Sequence, residues 1–259
     1  MYSLGEDAAR GDIASSPWVL PQGIGAAMIC ASIRARDTRE ALCEMELAFG
    51  LADLVELRLD LMEEWDLKLL LARRKGPVVV TARSGREGGG FRGGEQERIG
   101  LLGEAVKLGA DFVDVELSTE GRLLETLREL LKGKGCATRL ILSWHNWEST
   151  PPVRTLRAVA KRCMSAGADI AKIVTTALRP EHNLTALQLV CWGKTHGIPV
   201  ISFCMGELGK PSRVMAPLLG APFTYGCLSP EKEVAPGQVT LEELGETLRI
   251  LGGGLGQEG

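Results

Sequence analysis

The sequence predicts a single-domain α/β protein built as a (β/α)8 TIM barrel. Three observations carry this expectation. Eight short β-rich runs recur, their starts 24–34 residues apart, the length of one βα unit. The segments between them have helical periodicity. The unit Gly-Ala-Asp stands immediately before two strands, at 109–111 and 167–169, with Leu51-Ala52-Asp53 as a variant. A helix-ending glycine followed by a strand is the grammar of an αβ loop.

In chain order, strands are expected at AMICASI (27–33), DLVELRL (53–59), PVVVTAR (77–83), DFVDVEL (111–117), TRLILSW (138–144), ADIAKIV (168–174), IPVISFC (198–204) and PFTYGC (222–227). After the first strand, DTREALCEMELAFG reads as a helix with Asp37 as N-cap and Glu40 completing a capping box. Leu42, Met45 and Phe49 line one face, and Gly50 ends it. TLRAVAKRCMSAG repeats the pattern and ends at Gly167. An open doubly wound sheet is the competing architecture. It is weakened because no GxGxxG follows the first strand.

The chain has 259 residues, of which 45% are hydrophobic and 24% charged, enough for a substantial core. Its net charge of −3 gives no reason to expect nucleic acid or an anionic membrane as partner. The barrel is expected over 23–251, with 1–22 and 252–259 as flexible ends. The first 22 residues lack the apolar core of a signal peptide, and no apolar run reaches membrane-spanning length. Seven cysteines, an odd number without CxxC, read as free thiols of a cytoplasmic protein.

Polar residues sit on the strands where apolar ones would be ordinary. Glu56, Arg58 and Asp60 alternate, so they are expected on one face of strand two. Arg83 ends strand three and Glu116 strand four. Charges at strand C-termini occupy the place where barrel active sites lie. A partly solvated ion pair is the plainer account.

Lys172 shares a face with Ile170 and Val174. Amid apolar groups and other cations it is expected to have a lowered pKa and to act as a Schiff-base nucleophile. It could also snorkel or neutralise a structural carboxylate. His145 ends strand five and reads as a general acid/base or as a satisfied core histidine. No Cys/His cluster has metal-ligand spacing, so no metal is expected. The glycine-rich SGREGGGFRGG (84–94) reads as a mobile loop over the mouth carrying Arg86 and Glu87, in preference to a phosphate cradle. Arg213 is a candidate fork for a carboxylate, and the Pro236-Gly237 turn would present Gln238.

In order, ELRLD, TARSGREGG, DVEL, SWHNW…TPP, AKIV, FCMGELGKPSR and APGQ resemble the type I 3-dehydroquinate dehydratases over about residues 26–245. The resemblance implies dehydration of 3-dehydroquinate to 3-dehydroshikimate, in the shikimate route to aromatic amino acids, without a cofactor. It implies Lys172 as the imine-forming lysine, His145 as the acid/base and Glu87 as the acid beside it. Ser32, Glu56, Arg58, Arg83, Arg213 and Gln238 fall where the family holds substrate. A homodimer is also implied.

Two positions depart from the family pattern. Val234 stands where a small hydroxyl residue often precedes APGQ, so one substrate hydrogen bond is missing or supplied elsewhere, with Ser229 a candidate. Asn146 stands where many members have aspartate. A class I aldolase on the same barrel is the alternative enzyme, and a degenerate barrel serving as a binding module is the non-enzymatic one.

Overall fold

The computed structural model describes residues 27–252. The segments expected at 1–22 and beyond Gly252 lie outside the described residues, and Gly252 itself closes the last helix. All eight expected strands form: β1 Ile29–Ile33, β2 Leu54–Arg58, β3 Val78–Thr81, β4 Phe112–Glu116, β5 Arg139–His145, β6 Ile170–Thr176, β7 Val200–Met205 and β8 Thr224–Cys227. A two-residue β9, Val239–Thr240, pairs with β8. Between them run α1 Thr38–Ala48, α2 Leu67–Ala72, α3 Glu95–Lys107, α4 Gly121–Leu131, α5 Val153–Ser165, α6 His182–Thr195, α7 Lys210–Leu219 and α8 Leu241–Gly252.

Every ladder is parallel, and the order is β7-β6-β5-β4-β3-β2-β1-β8-β9. Sequential order with β8 beside β1 is the order of a barrel, its ladders running from β7 round to β8. A doubly wound sheet would instead reverse its order at a switch point. Among the described residues no ladder joins β7 to β8. Side chains fill that seam: the rings of Phe203 and Tyr225 lie 6.1 Å apart, and Tyr225 meets Phe223 at 5.5 Å. The chain beyond β8 also crosses the seam, where the Gly206 amide donates to the Pro236 carbonyl at 2.8 Å.

Strand alternation separates two apolar layers. Ala31, Val55, Val80, Val113, Leu142 and Ile173 face outward and pack with the helices. Cys30, Leu54, Val79, Phe112, Ile141, Ile170, Ile201 and Phe223 form an inner plug. Because the plug fills the lower barrel, polar side chains one pleat higher have only the C-terminal mouth to open into.

The Gly-Ala-Asp unit has two functions. Gly109 and Gly167 take positive φ, 79° and 90°, which ends α3 and α5. In each case the next two amides bond back into the last turn: Gly167 to Met164 and Ala168 to Cys163 for α5, Gly109 to Val106 and Ala110 to Ala105 for α3. The aspartate that follows accepts a backbone amide at the start of the preceding strand. Asp169 takes Leu140 at 2.8 Å, Asp111 takes Val78 at 2.9 Å and Asp53 takes Ile29 at 2.8 Å. Three strand starts on the rim opposite the mouth are therefore tied by one repeated carboxylate.

Three local expectations are adjusted. Asp37 caps α1 by accepting from the Glu40 amide at 2.9 Å, but the Glu40 carboxylate accepts from Arg36, one residue before the cap. That helix ends at Ala48, two residues before Gly50. Asp60 leaves β2 for a one-turn 3-10 helix, Leu59–Leu61, yet stays buried and paired with Arg58. All seven cysteines are free; Cys30, Cys163, Cys204 and Cys227 are buried, whereas Cys43 and Cys191 are exposed.

Candidate active site

Lys172 occupies the inner face of β6, in register with Ser143 of β5 and Ile201 of β7. Only 5% of it is exposed. Its Nζ lies 2.9 Å from Asp114 Oδ2 and 3.5 Å from Glu56 Oε1, and 4.0 Å from the centre of the Tyr225 ring. The expected surroundings, apolar groups and other cations, are thereby corrected. β4 turns Asp114 inward beside β5 and β6, so two carboxylates and an aromatic face hold the amine. The alternative function read from sequence, neutralising a buried carboxylate, is realised in the same side chain.

One layer toward the mouth, β5 presents His145. Glu87 accepts from the His145 backbone amide at 3.0 Å and meets the ring Nδ1 at 2.9 Å through the same oxygen, Oε2. Its other oxygen accepts from Ser118 at 2.8 Å. An oxygen already taking one N–H is best placed to take a second, which assigns the proton to Nδ1 and leaves Nε2 with its lone pair. Burial pushes Glu87 up to about 7. Burial, then the Arg83 and Lys172 charges, hold His145 well below the usual imidazole range, while Asp114 opposes them. The pair therefore combines a neutral imidazole with a carboxyl poised near neutrality.

The segment expected as a loop over the mouth is instead part of the wall. Ser84 caps a one-turn 3-10 helix, Gly85–Glu87. Glu116 accepts the Ser84 amide at 2.9 Å, and Asp60 accepts the Gly90 amide at 3.0 Å. Gly88 has φ +79°, and a Cβ there would stand 2.0 Å from the Trp147 ring. Only glycine lets Trp147 lie against this turn. Glu87 points inward and Arg86 is exposed.

Arginines bracket the amine and the dyad. Arg83 reaches Asp114 at 2.8 Å, Glu116 at 3.1 Å and Ser143 at 2.5 Å. These carboxylates raise its pKa further above its ordinary value despite burial, so it is a fixed cation. The Asp114 carboxyl is held far below the usual range by Arg83 and Lys172, against burial. Arg58 makes a two-toothed pair with Asp60, at 2.8 and 2.7 Å.

Arg213 differs from both. It is 1% exposed, and among the described residues no carboxylate lies within ion-pair distance of it. Its Nη2 donates to the Pro236 carbonyl at 3.1 Å, its guanidinium lies 4.5 Å from the Phe203 ring centre, and its buried Nε has no partner. Burial draws its pKa down to about 10. A buried guanidinium with spare donors is a receptor for an anion.

The Ala235–Gln238 turn closes the remaining side. Pro236 and a positive-φ Gly237 shape it, and the Gln238 amide donates back to Ala235 at 3.3 Å. Gln238 is presented inward as expected, donating to Ser32 at 3.3 Å, while Ser32 donates to Glu56 at 2.9 Å. Val234 also faces the cavity, whereas Ser229 does not line it. Asn146 caps its own turn by accepting from the Glu148 and Ser149 amides, so Glu87, not residue 146, orients His145.

All nine residues that the family resemblance assigns to catalysis or substrate binding line one cavity of about 460 Å3, mouth included: Ser32, Glu56, Arg58, Arg83, Glu87, His145, Lys172, Arg213 and Gln238; Asp60, Glu116 and Arg86, also singled out from sequence, do not. Sequence reasoning missed Asp114, Ser143 and Tyr225. Asp114 was legible, because it alternates with Glu116 and must share its face. Ser143 and Tyr225 carry no such signal, being ordinary strand residues. Among the described residues no cluster of His, Cys, Asp and Glu could hold a metal ion, and no helix is long and apolar enough to cross a membrane.

A parallel eight-stranded barrel with these groups converging at its C-terminal mouth defines an enzyme of the (β/α)8 class. Comparison with known proteins narrows that class. The type I 3-dehydroquinase family matches residues 29–254. The 3-dehydroquinate dehydratase of Thermococcus gammatolerans is 39% identical over 230 residues, 87% of this chain and 100% of the relative. That of Desulfotalea psychrophila is 36% identical over 216 residues, 83% and 94% of the two chains. The crystal structure of 3-dehydroquinate dehydratase from Geobacillus kaustophilus superposes with a TM-score of 0.79 at 29% identity, covering 87% of this chain and 91% of that one. The chain belongs to the type I 3-dehydroquinase family and is a lyase.

Proposed function

We propose that this chain dehydrates 3-dehydroquinate to 3-dehydroshikimate through a Schiff base at Lys172, within the shikimate route to aromatic amino acids. One observation carries the reading. A buried primary amine, a histidine with a free Nε2 and a buried guanidinium without a carboxylate partner all face one cavity.

Each group has a step to perform. The Arg213 fork takes the substrate carboxylate, which supplies the anion its burial lacks. Ser32, Glu56, Arg58, Arg83 and Gln238 hold hydroxyls and fix the ring, so that the carbonyl carbon faces Lys172. The free-base amine adds to that carbon, and loss of water gives an iminium. The iminium acidifies the neighbouring C–H, and His145 Nε2 removes that proton. Glu87 accepts the Nδ1 proton as a hydrogen bond and stabilises the imidazolium that forms. The same imidazole then delivers its proton to the departing β-hydroxyl, which leaves as water. Hydrolysis of the conjugated imine releases product and amine. Free thiols accord with a reducing cytoplasm, and family likeness supports a homodimer, which light scattering tests.

The decisive experiment adds 3-dehydroquinate, follows the ultraviolet absorbance of the conjugated enone, and traps the intermediate with borohydride. Mass mapping is expected to place the adduct on Lys172. Turnover with Lys172 unmodified would refute the Schiff-base assignment. Cleavage of sugar phosphates without enone formation would favour the aldolase reading.

A further inference from the structure

Arg98 is among the largest fully buried side chains, 1% exposed, yet it does not line the catalytic cavity. It projects from the first turn of α3 into the gap between the ends of β3 and β4. Its five N–H groups find five acceptors. Nη1 donates to the Ala82 carbonyl and to Glu116 Oε2; Nη2 donates to Thr119 Oγ1 at 2.9 Å and Glu95 Oε1 at 2.8 Å; Nε donates to Glu95 Oε2 at 3.2 Å. No other side chain reproduces that span, since lysine has three donors on one atom.

Two of these bonds lead to Glu87. Through Glu116, whose other oxygen accepts both Arg83 and the Ser84 amide, Arg98 fixes the start of the turn that carries Glu87. Through Thr119 it fixes the segment whose neighbouring residue, Ser118, donates to Glu87 Oε1. Both routes end on the carboxylate that orients His145; the one through Glu116 also reaches Lys172, by way of Arg83 and Asp114, whereas the one through Thr119 and Ser118 does not.

We infer that Arg98 is a positioning residue for the proton-transfer half of the reaction, setting Glu87 against His145 from outside the cavity. The inference rests on the function proposed above. Loosening Arg98 misplaces the Glu87 carboxylate, so His145 loses its fixed tautomer and aim while the amine keeps its own partners. Imine formation then survives and C–H removal slows. The dyad is faced by Arg83, Arg58 and Lys172 as cations and by Asp114 and Glu116 as carboxylates, and neither variant alters any of these charges.

The test compares Arg98→Lys and Thr119→Val with the parent enzyme in three readouts on 3-dehydroquinate: kcat and KM, the pH profile of kcat, and borohydride-trapped adduct at Lys172. Arg98→Lys is expected to lower kcat at least about ten-fold and Thr119→Val about three-fold, with KM changed less than about three-fold. Adduct yield is expected to be unchanged, and the acid limb of the kcat profile to move in Arg98→Lys. Unchanged kcat and profile in both variants would overturn the inference, as would adduct lost in proportion to kcat. Thr119→Val, which leaves every charge in place, decides the matter if Arg98→Lys does not fold. A parent enzyme that neither forms adduct nor makes enone would instead sink the proposed function, so the two failures are distinguishable.

Discussion

The Nζ atom of Lys172 lies 2.9 Å from Oδ2 of Asp114, and both groups are at least 95% buried. Asp114 also binds Arg83 at 2.8 Å and accepts from Ser143 at 2.6 Å, so one carboxylate aims the amine and anchors a second cation. Asp114→Asn strips the charge while keeping the shape. Two buried cations then share what remains, and breaking such a pair costs about 3–5 kcal/mol. Urea unfolding is expected to show a loss of that order. The kcat/KM of the folded fraction is expected to fall at least about ten-fold, because Nζ is no longer held on one side. A variant as stable and active as the parent would show that Glu56 and Tyr225 suffice.

The Glu87–His145 pair sets the pH behaviour. Glu87 titrates at about 7 in the fold, above its ordinary 4.5, so the folded state binds its proton more tightly. Its stabilising contribution is whole below about 4.5 and is lost as pH rises through about 7. His145, lowered below its ordinary 6.5, acts oppositely: its contribution is present above 6.5 and lost as pH falls. Replacing Glu87 by Gln removes the first effect alone. The parent's stability is therefore expected to decline relative to Glu87→Gln between pH 4.5 and about 7. Because an ionised Glu87 holds the Nδ1 proton, kcat of the parent is expected to rise through about pH 7 and this limb to vanish in Glu87→Gln. Parallel stability curves for the two proteins would contradict the shift.

Arg213 illustrates stability given up for binding. A buried guanidinium with an unpartnered Nε destabilises the empty enzyme. Arg213→Met fills the space beside Phe203 with an apolar chain. Its Tm is expected to be equal to or higher than the parent's, while KM for 3-dehydroquinate rises at least about a hundred-fold, the loss of a charge-assisted fork. Calorimetry and steady-state kinetics on the same preparation check both halves. A fall in Tm together with an unchanged KM would mean that Arg213 serves the fold.

The sequence disclosed the barrel because its signals are local. Strand runs, glycine stops and the aspartate after each stop recur within one βα unit, and each depends only on near neighbours. Glu56, Arg58 and Lys172 were legible because charge on a buried strand is anomalous wherever the strand goes, and Arg83 and His145 because they end strands; Glu87, Arg213 and Gln238 drew their weight from their place in the chain, and Ser32 from the family resemblance alone. What was not legible is pairing across strands. That Lys172 meets Asp114 depends on β4–β5–β6 register, and that Asp60 leaves β2 depends on a turn no periodicity announces. Arg98 was invisible for a related reason: an arginine in the first turn of a helix ordinarily faces water, and only the converging strand ends make it a core residue.

The repeated strand-start aspartate predicts a fold effect separable from catalysis. Asp169 Oδ2 accepts the Leu140 amide at 2.8 Å, at the rim opposite the active site. Asp169→Ala leaves that buried-edge amide without its acceptor, which costs about 1–3 kcal/mol. The same change at Asp53 or Asp111 is expected to cost a similar amount, and a double variant to lose close to the sum, because the bonds tie different strand pairs. Equilibrium urea unfolding measures this directly. Residual kcat and KM are expected to match the parent within about two-fold in the folded fraction, since the plug of Phe112, Ile141 and Ile170 separates this rim from Lys172. A large activity loss without destabilisation would mean that the lower rim communicates with the mouth.

The strap over the cavity is held from outside. Lys232 Nζ lies 2.6 Å from both Glu40 and Glu44 of α1 and donates to the Arg34 carbonyl at 3.2 Å, while Arg34 donates to the Glu233 carbonyl at 2.8 Å. These reciprocal contacts pin the chain just before Val234 and Gln238. Lys232→Met removes the ammonium and leaves Glu44, already raised by burial, without its cation. The strap then samples open positions, and the bound geometry is populated less often. KM is expected to rise about three- to ten-fold with kcat within about two-fold, because the competent fraction falls while the chemistry in that fraction is unchanged. Lys232→Arg, which keeps a cation between the two carboxylates, is expected to restore most of the affinity. Steady-state kinetics on the two variants decide it: an unaltered KM in Lys232→Met would show that the Gly206–Pro236 and Gln238–Ser32 bonds hold the strap on their own.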